Sequence, residues 1–276
     1  MHLFVPLLRS AAFRMLLLAG VTTFAACTTA KNAAKDGWIP LFNGKDLEDW
    51  IVKIHHHEVG DNFGRTFRVK DGVIQIRYDG YDRFNDRFGH LYYKKPFSNY
   101  HLKFEYRFTG QWRQDAPGYT LRNSGVMFHS QDPRTMPREQ DWPISVEMQL
   151  LGGLGDGKPR PTGNMCSPGT DVVFEGRIDP RHCIESVSKT YDGEQWVKGE
   201  LIVWNDSLVL HIIEGDTVLR YSKPQIGGGV VNRYDPAVKQ DGKPLRSGFI
   251  ALQSEGQEID FRNIRLRELR RGGTKK

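Results

Sequence analysis

The stretch HLKFEYRF, His101 to Phe108, alternates without a break. Leu102, Phe104, Tyr106 and Phe108 fall on one face, and His101, Lys103, Glu105 and Arg107 on the other. A period of two with all apolar residues on one side marks a half-buried strand. The pattern recurs in both directions along the chain. TFRVKDGVIQIRY (Thr66 to Tyr78) reads as a hairpin turning at Asp71-Gly72, because Asp-Gly readily supplies the two left-handed positions of a tight hairpin. GELIVWNDSLVLHIIEGDTVLRY reads as three short strands turned at Asn205-Asp206 and at Glu214 to Asp216. SGFIALQSEG and EIDFRNIRLREL add two more. With no long amphipathic helix after the N-terminal segment, the chain is expected to be all-β, a sandwich or jelly roll.

The N-terminus reads as an export signal. Arg9 and Arg14 precede the apolar run MLLLAGVTTFAA, and small residues lead to Cys27. FAAC resembles a bacterial lipobox, with Phe24 where Leu is usual, so Cys27 is expected to be lipidated after removal of residues 1–26. The run is short for a transmembrane helix, which needs about 20 apolar residues. Residues 27–36 read as a polar tether, 37–270 as one domain and 271–276 as a basic tail. The expected location is the bacterial envelope, lipid-anchored at the periplasmic side of the outer membrane, since no acidic run follows Cys27. The formal charge of +6 falls by two when Arg9 and Arg14 leave. Much of the excess lies near the C-terminus and no basic stripe crosses the body, so nucleic acid is not an expected partner. Cys166 and Cys183 are the thiols that remain, and in an oxidising compartment they are expected to form a disulfide. Two long irregular stretches, residues 152–172 and 223–248, are either walls of a site or surface decoration.

Two strands carry polar sets unlike ordinary solvent faces. In RNSGVMFHSQ (Arg122 to Gln131), Asn123, Gly125, Met127 and His129 share a face. In SVEMQLL (Ser145 to Leu151), Glu147 and Gln149 share one with Ser145. If these strands are neighbours, Asn123, His129, Glu147 and Gln149 line one surface, which Gln253 and Glu255 could join. Amides and carboxylates bind sugar hydroxyls by directed hydrogen bonds, and aromatic rings stack on apolar sugar faces. His129 and Glu147 are the candidates for moving a proton. A satisfied structural histidine, and a Glu147 that balances Arg122 or Arg160, are the plainer alternatives.

IHHHE (Ile54 to Glu58) suggests a metal, but adjacent imidazoles on a regular strand cannot all face one ion. One of them, His57, is expected to contribute to a divalent-metal site completed by distant loops. His90 and His211 are further candidates with core roles open to them. No H-E-x-x-H, C-x-x-C, phosphate-cradling glycine loop or G-x-S-x-G occurs, which argues against zinc-protease, nucleotide and serine-hydrolase chemistry. No nucleotide or organic cofactor is expected.

Seven segments in order, GWIPLFNGKDLEDW, TFRVKDGVI, FGHLYYKKPFSNYHLKFEYRF, RNSGVMFHSQ, SVEMQLLGG, RPTGNMCSPGT and GFIALQSEGQEIDFRNIRLREL, resemble the 3-keto-disaccharide hydrolase domain family from about Gly37 to Leu269. The resemblance implies a concanavalin A-like jelly roll, a bacterial secreted or lipid-anchored protein, and cleavage of glycosides already oxidised to a ketone at C3. Such a ketone acidifies the C2 hydrogen, so a base can form an enolate that expels the C1 substituent. On the face geometry, His129 or Glu147 is the base, Asn123 and Gln149 position the sugar, and Arg122, Gln253 and Glu255 also bind it. Glu255 could be an acid or a ligand, and a divalent cation could act as electrophile. The chain departs from many relatives in having QSEG where they carry an acidic-His pair, and Glu214-Gly215 where they carry Asn-Gly. The rival readings are a non-catalytic carbohydrate-binding module, a scaffolding lipoprotein and a retaining glycosidase. The last needs two carboxyls about 5 Å apart and is disfavoured, because SVEMQLL follows Glu147 with Gln149 and no second acid.

Overall fold

The structure, a computed structural model, describes residues 1–2 and 36–270. The expected signal, Cys27, most of the tether and the basic tail lie outside the described residues. Two antiparallel sheets pack face to face. In the larger, ten-stranded sheet the HLKFEYRF stretch is the middle of a long strand, Asn99–Trp112. It lies between Val197–Trp204 and Gln257–Glu268, with Leu102 opposite both Leu201 and Leu266. The seven-stranded sheet runs, in order, Cys183–Ile184, Asn164–Cys166, Val146–Leu151, Asn123–Ser130, Phe249–Ser254, Gly89–Tyr93 and Trp50–Ile54. This is a jelly-roll sandwich of the concanavalin A-like type.

The alternation read from sequence is what builds the core. Leu102, Phe104, Tyr106 and Phe108 meet Val126, Phe128, Met148 and Leu150 of the facing sheet in one buried cluster. Burying each such side chain stabilises by about 1.5–3 kcal/mol. The hairpin turns fall where expected: Asp71 and Gly72 both have positive φ, at 51° and 75°. Asn205, Glu214 and Gly215 turn the next strands with φ of 39°, 50° and 93°. His211 is structural. Its Nδ1 donates to the Gly163 carbonyl at 2.8 Å and its Nε2 faces the Tyr221 hydroxyl at 2.7 Å, wholly buried.

Cys166 and Cys183 form the expected disulfide. They are directly paired across Asn164–Cys166 and the two-residue edge strand Cys183–Ile184. So short a strand contributes few ladder bonds, and the covalent link keeps it on the sheet. Replacing both cysteines by alanine is therefore expected to cost about 3 kcal/mol. Urea unfolding measures this, and a midpoint unchanged from the parent protein would contradict it.

Candidate functional site

The outer face of the seven-stranded sheet carries a cleft of about 530 Å³. Its floor is a cross-strand array. Gly125 pairs with Gln149 and Met127 with Glu147, while Gln253 pairs with His90 on the other side. Period-two geometry thus brings Asn123, Glu147, Gln149, Gln253 and Glu255 together around one cavity. Met127, Tyr92, Ala251, Phe249 and Met136 form a separate small apolar cluster.

Gly125 makes room for the central carboxyl. A Cβ there would lie 2.3 Å from Glu147 Oε1, so the Glu147 side chain folds back over the glycine. Glu147 and Glu255 are only 6% and 4% exposed. Burial pushes the Glu147 carboxyl up to about 8. Glu255 is raised well above the usual carboxylate range, first by burial and then by the negative charge of Glu147. No cation contributes to either shift. Two carboxyls that crowd each other away from water resist charge, so the pair loses its first proton only at about pH 8 and keeps the second above that.

The amides around the pair are held by the scaffold. Asn123 Nδ2 donates to the Tyr119 carbonyl at 3.2 Å. Gln149 Oε1 accepts from Asn164 Nδ2 at 3.0 Å, and Asn164 also accepts the Ser186 N–H and donates to the Pro161 carbonyl. Asn123 Oδ1, Gln253 Oε1 and Glu255 Oε2 are buried with no partner among the described residues. Buried acceptors without donors are costly, and hydroxyl donors from a sugar would satisfy them. Glu255 itself sits in the tight turn to the next strand, where Gly256, at φ 101°, donates its N–H to the Tyr78 hydroxyl at 2.7 Å.

The structure separates three residues from this group. His129 is the chief correction. Two residues of the Asn123–Ser130 strand oppose one of Phe249–Ser254 between the pairs Met127–Ala251 and Ser130–Phe249. This bulge, with His129 at φ 46°, breaks the alternation. Gly248 permits it, since a Cβ there would strike the His129 backbone at 2.3 Å. His129 consequently turns away from Glu147 and donates Nε2–H to the Asn205 carbonyl at 2.9 Å, in a turn of the opposite sheet. Burial brings its pKa down to about 4. Arg122, next to Asn123 and so facing the other way, lies over the Phe108 ring at 5.4 Å and donates to the Gly193 carbonyl. His57 is paired through Nδ1 with Asp61 at 2.7 Å and packs on Phe63, and it joins no three-residue ligand group among the described residues.

The walls held what the strand pattern did not signal. Tyr119, Trp142, Arg160, Pro168, His182 and Val230 line the cleft together with the disulfide. Both long irregular stretches are thus walls: one supplies Arg160 and Pro168, the other Val230. Arg160 is fixed by the carbonyls of Leu121, Arg122 and Gly152. Tyr119 is 57% exposed, an uncovered ring beside a polar floor, which suits stacking on a sugar face.

The Glu147 shift has a consequence for stability. Its folded-state pKa lies above the unfolded value, so its favourable contribution is complete below about 4.5 and is lost as pH rises through about 8. Glu147→Gln is therefore expected to stabilise the metal-free protein at pH 8.5 by about 2 kcal/mol or more, with little change at pH 4.5. Urea unfolding in chelator at both pH values checks this, and equal effects at the two would contradict it. Gly125→Ala, whose backbone is ordinary, is expected to displace the Glu147 carboxyl and lower any activity of the cleft about 10²-fold. Full activity in that variant would remove Glu147 from the chemistry.

A model of the 3-keto-alpha-glucoside-1,2-lyase-like domain matches residues 37–267. Two solved structures are similar in fold. One is a candidate glycosyl hydrolase from Parabacteroides distasonis, 19% identical with a TM-score of 0.52, over 87% of this chain and 97% of that one. The other is a protein of unknown function with a galectin-like fold from Bacillus subtilis, 12% identical with a TM-score of 0.51, over 85% and 96%. No curated protein matches the chain in sequence.

Proposed function

This chain belongs to the 3-keto-alpha-glucoside-1,2-lyase-like domain family, so its function is carbohydrate-related, and we propose that it cleaves 3-keto-glycosides by elimination across C2 and C1. The observation that carries the proposal is the buried Glu147–Glu255 pair on a cleft floor shared with the amides of Asn123, Gln149 and Gln253. The ionised carboxyl takes the C2 proton, made acidic by the C3 ketone. Electrons move into the C3 oxygen and return to expel the C1 oxygen, which receives its proton from the other carboxyl. The products are an enone and a free alcohol. The pair ends as it began, with one proton shared, now on the opposite partner. Later addition of water to the enone would make the net reaction a hydrolysis.

The amides of Asn123, Gln149 and Gln253 orient the ring, and Tyr119 and Trp142 flank its apolar faces. A divalent cation also fits the floor: Glu147, Glu255, Asn123 Oδ1 and Gln253 Oε1 form an all-oxygen donor set suited to a hard ion, which would polarise a sugar oxygen. With Cys27 lipidated, the cleft works on periplasmic glycosides at the membrane surface.

The test compares a 3-keto glucoside with its unoxidised parent. Cleavage of the keto sugar alone is expected, with Glu147→Gln and Glu255→Gln each lowering turnover by about 10²–10⁴-fold, the range of a positioned proton-transfer group. His129→Ala is expected to retain the reaction, since that ring faces the opposite sheet. Turnover lost in chelator and restored by manganese would place the oxygens on a cation and take proton transfer away from the pair. Saturable sugar binding without turnover would make the protein a recognition module.

A further inference from the structure

We propose that His55, His56 and Glu139 form a separate site for a divalent transition-metal ion of the zinc, nickel or copper class. The three residues lie just past the end of Trp50–Ile54 and on the segment that follows Pro137. Their ligand-capable atoms lie within 4.8 Å of one another, and all three side chains are partly exposed, so an ion can enter.

The proton positions favour a metal. His55 Nδ1 lies 2.8 Å from the Asp86 carbonyl oxygen. A carbonyl can only accept, so Nδ1 carries the hydrogen and Nε2 presents a lone pair. His56 Nδ1 and Glu139 Oε2 lie 2.6 Å apart and share one hydrogen, and an ion replacing that hydrogen would take one ligand atom from each. Metal-bound histidines almost always anchor their other ring N–H in this way, and His55 does so on a carbonyl. The two rings stack with centroids 3.7 Å apart and planes at 24°.

The scaffold holds the group in place before any ion arrives. The His56 N–H donates to the Arg138 carbonyl at 3.0 Å, and Arg138 Nε returns a bond to the His56 carbonyl at 2.7 Å. Beneath them the Lys53 ammonium, 1% exposed, bridges the carbonyls of His57 and Arg138. His56 itself is held at φ 70°, which turns its ring back onto His55 instead of away along a strand. Two imidazoles and one carboxylate suit zinc, nickel or copper, whereas magnesium and calcium prefer oxygen alone.

The site is distinct from the cleft floor yet adjoins its wall. The His55 N–H donates to the Phe88 carbonyl at 2.9 Å, and the Phe88 ring lies 4.4 Å from Trp142. An ion joining His55 and His56 to Glu139 would fix the segment that carries Trp142 and so stiffen one side of the cleft.

Calorimetric titration of the full chain, free of any polyhistidine tag, with Zn²⁺ tests the proposal. One site is expected, weakened at least tenfold in His55→Ala and in His56→Ala, and also in Glu139→Gln, which lies on a separate segment and keeps the test open if a histidine variant fails to fold. His57→Ala and Glu147→Gln are expected to bind as the parent does. No zinc binding, binding indifferent to His55, His56 and Glu139, or binding lost in Glu147→Gln would each overturn the assignment.

Discussion

Burying two carboxyl groups against each other, with no cation to offset them, is the constraint on which the account rests. Desolvation alone raises Glu147, and the Glu147 charge adds to the rise at Glu255. A fold selected only for stability would place apolar or amide side chains at these positions. The sheet tolerates the pair because Gly125 leaves space for one carboxyl and the turn fixed by Tyr78 presents the other. The cost is borne by a large double-sheet core and by a disulfide on the edge strands beside the pair.

The same pair explains why a departure from the family need not remove its chemistry. Elimination beside a ketone requires a proton acceptor and a proton donor on one cleft floor. Where many relatives resemble one another in an acidic-His pair, this chain places Glu255 opposite Glu147. In the proposed reaction, two like groups whose charges cannot coexist would divide the roles of base and acid between them. Their surroundings are amides fixed by neighbouring backbone and side chains, as Gln149 is by Asn164. Such groups can orient hydroxyls without supplying or removing protons.

Most of the fold was legible because alternation is a local signal. HLKFEYRF, the Asp71-Gly72 turn and the strands up to Tyr221 each declare themselves within a few residues. The floor was legible for the same reason, since Asn123, Glu147, Gln149 and Gln253 follow the period. His129 was misplaced because a bulge resets the period, and the bulge depends on Gly248, distant in sequence. Arg122 was misplaced against the period itself, being adjacent to Asn123 and so facing the other way. Arg160, Tyr119 and Trp142 come from irregular segments, where no periodicity marks a face. The histidine triplet likewise hid its arrangement: His56 turns through a left-handed backbone and meets Glu139, while His57 pairs with Asp61.

The most direct measurement is the titration of the Glu147 and Glu255 carboxyls by carbon-13 NMR of the glutamate-labelled, metal-free protein, assigned with the two Gln variants. Both carboxyls are expected to stay protonated at pH 7, with the first ionisation of the pair at about pH 8 and the second above it. Two carboxyl signals that both ionise near 4.5 would mean that neither is buried against the other, and the elimination chemistry assigned to this cleft would lose its acid and its base.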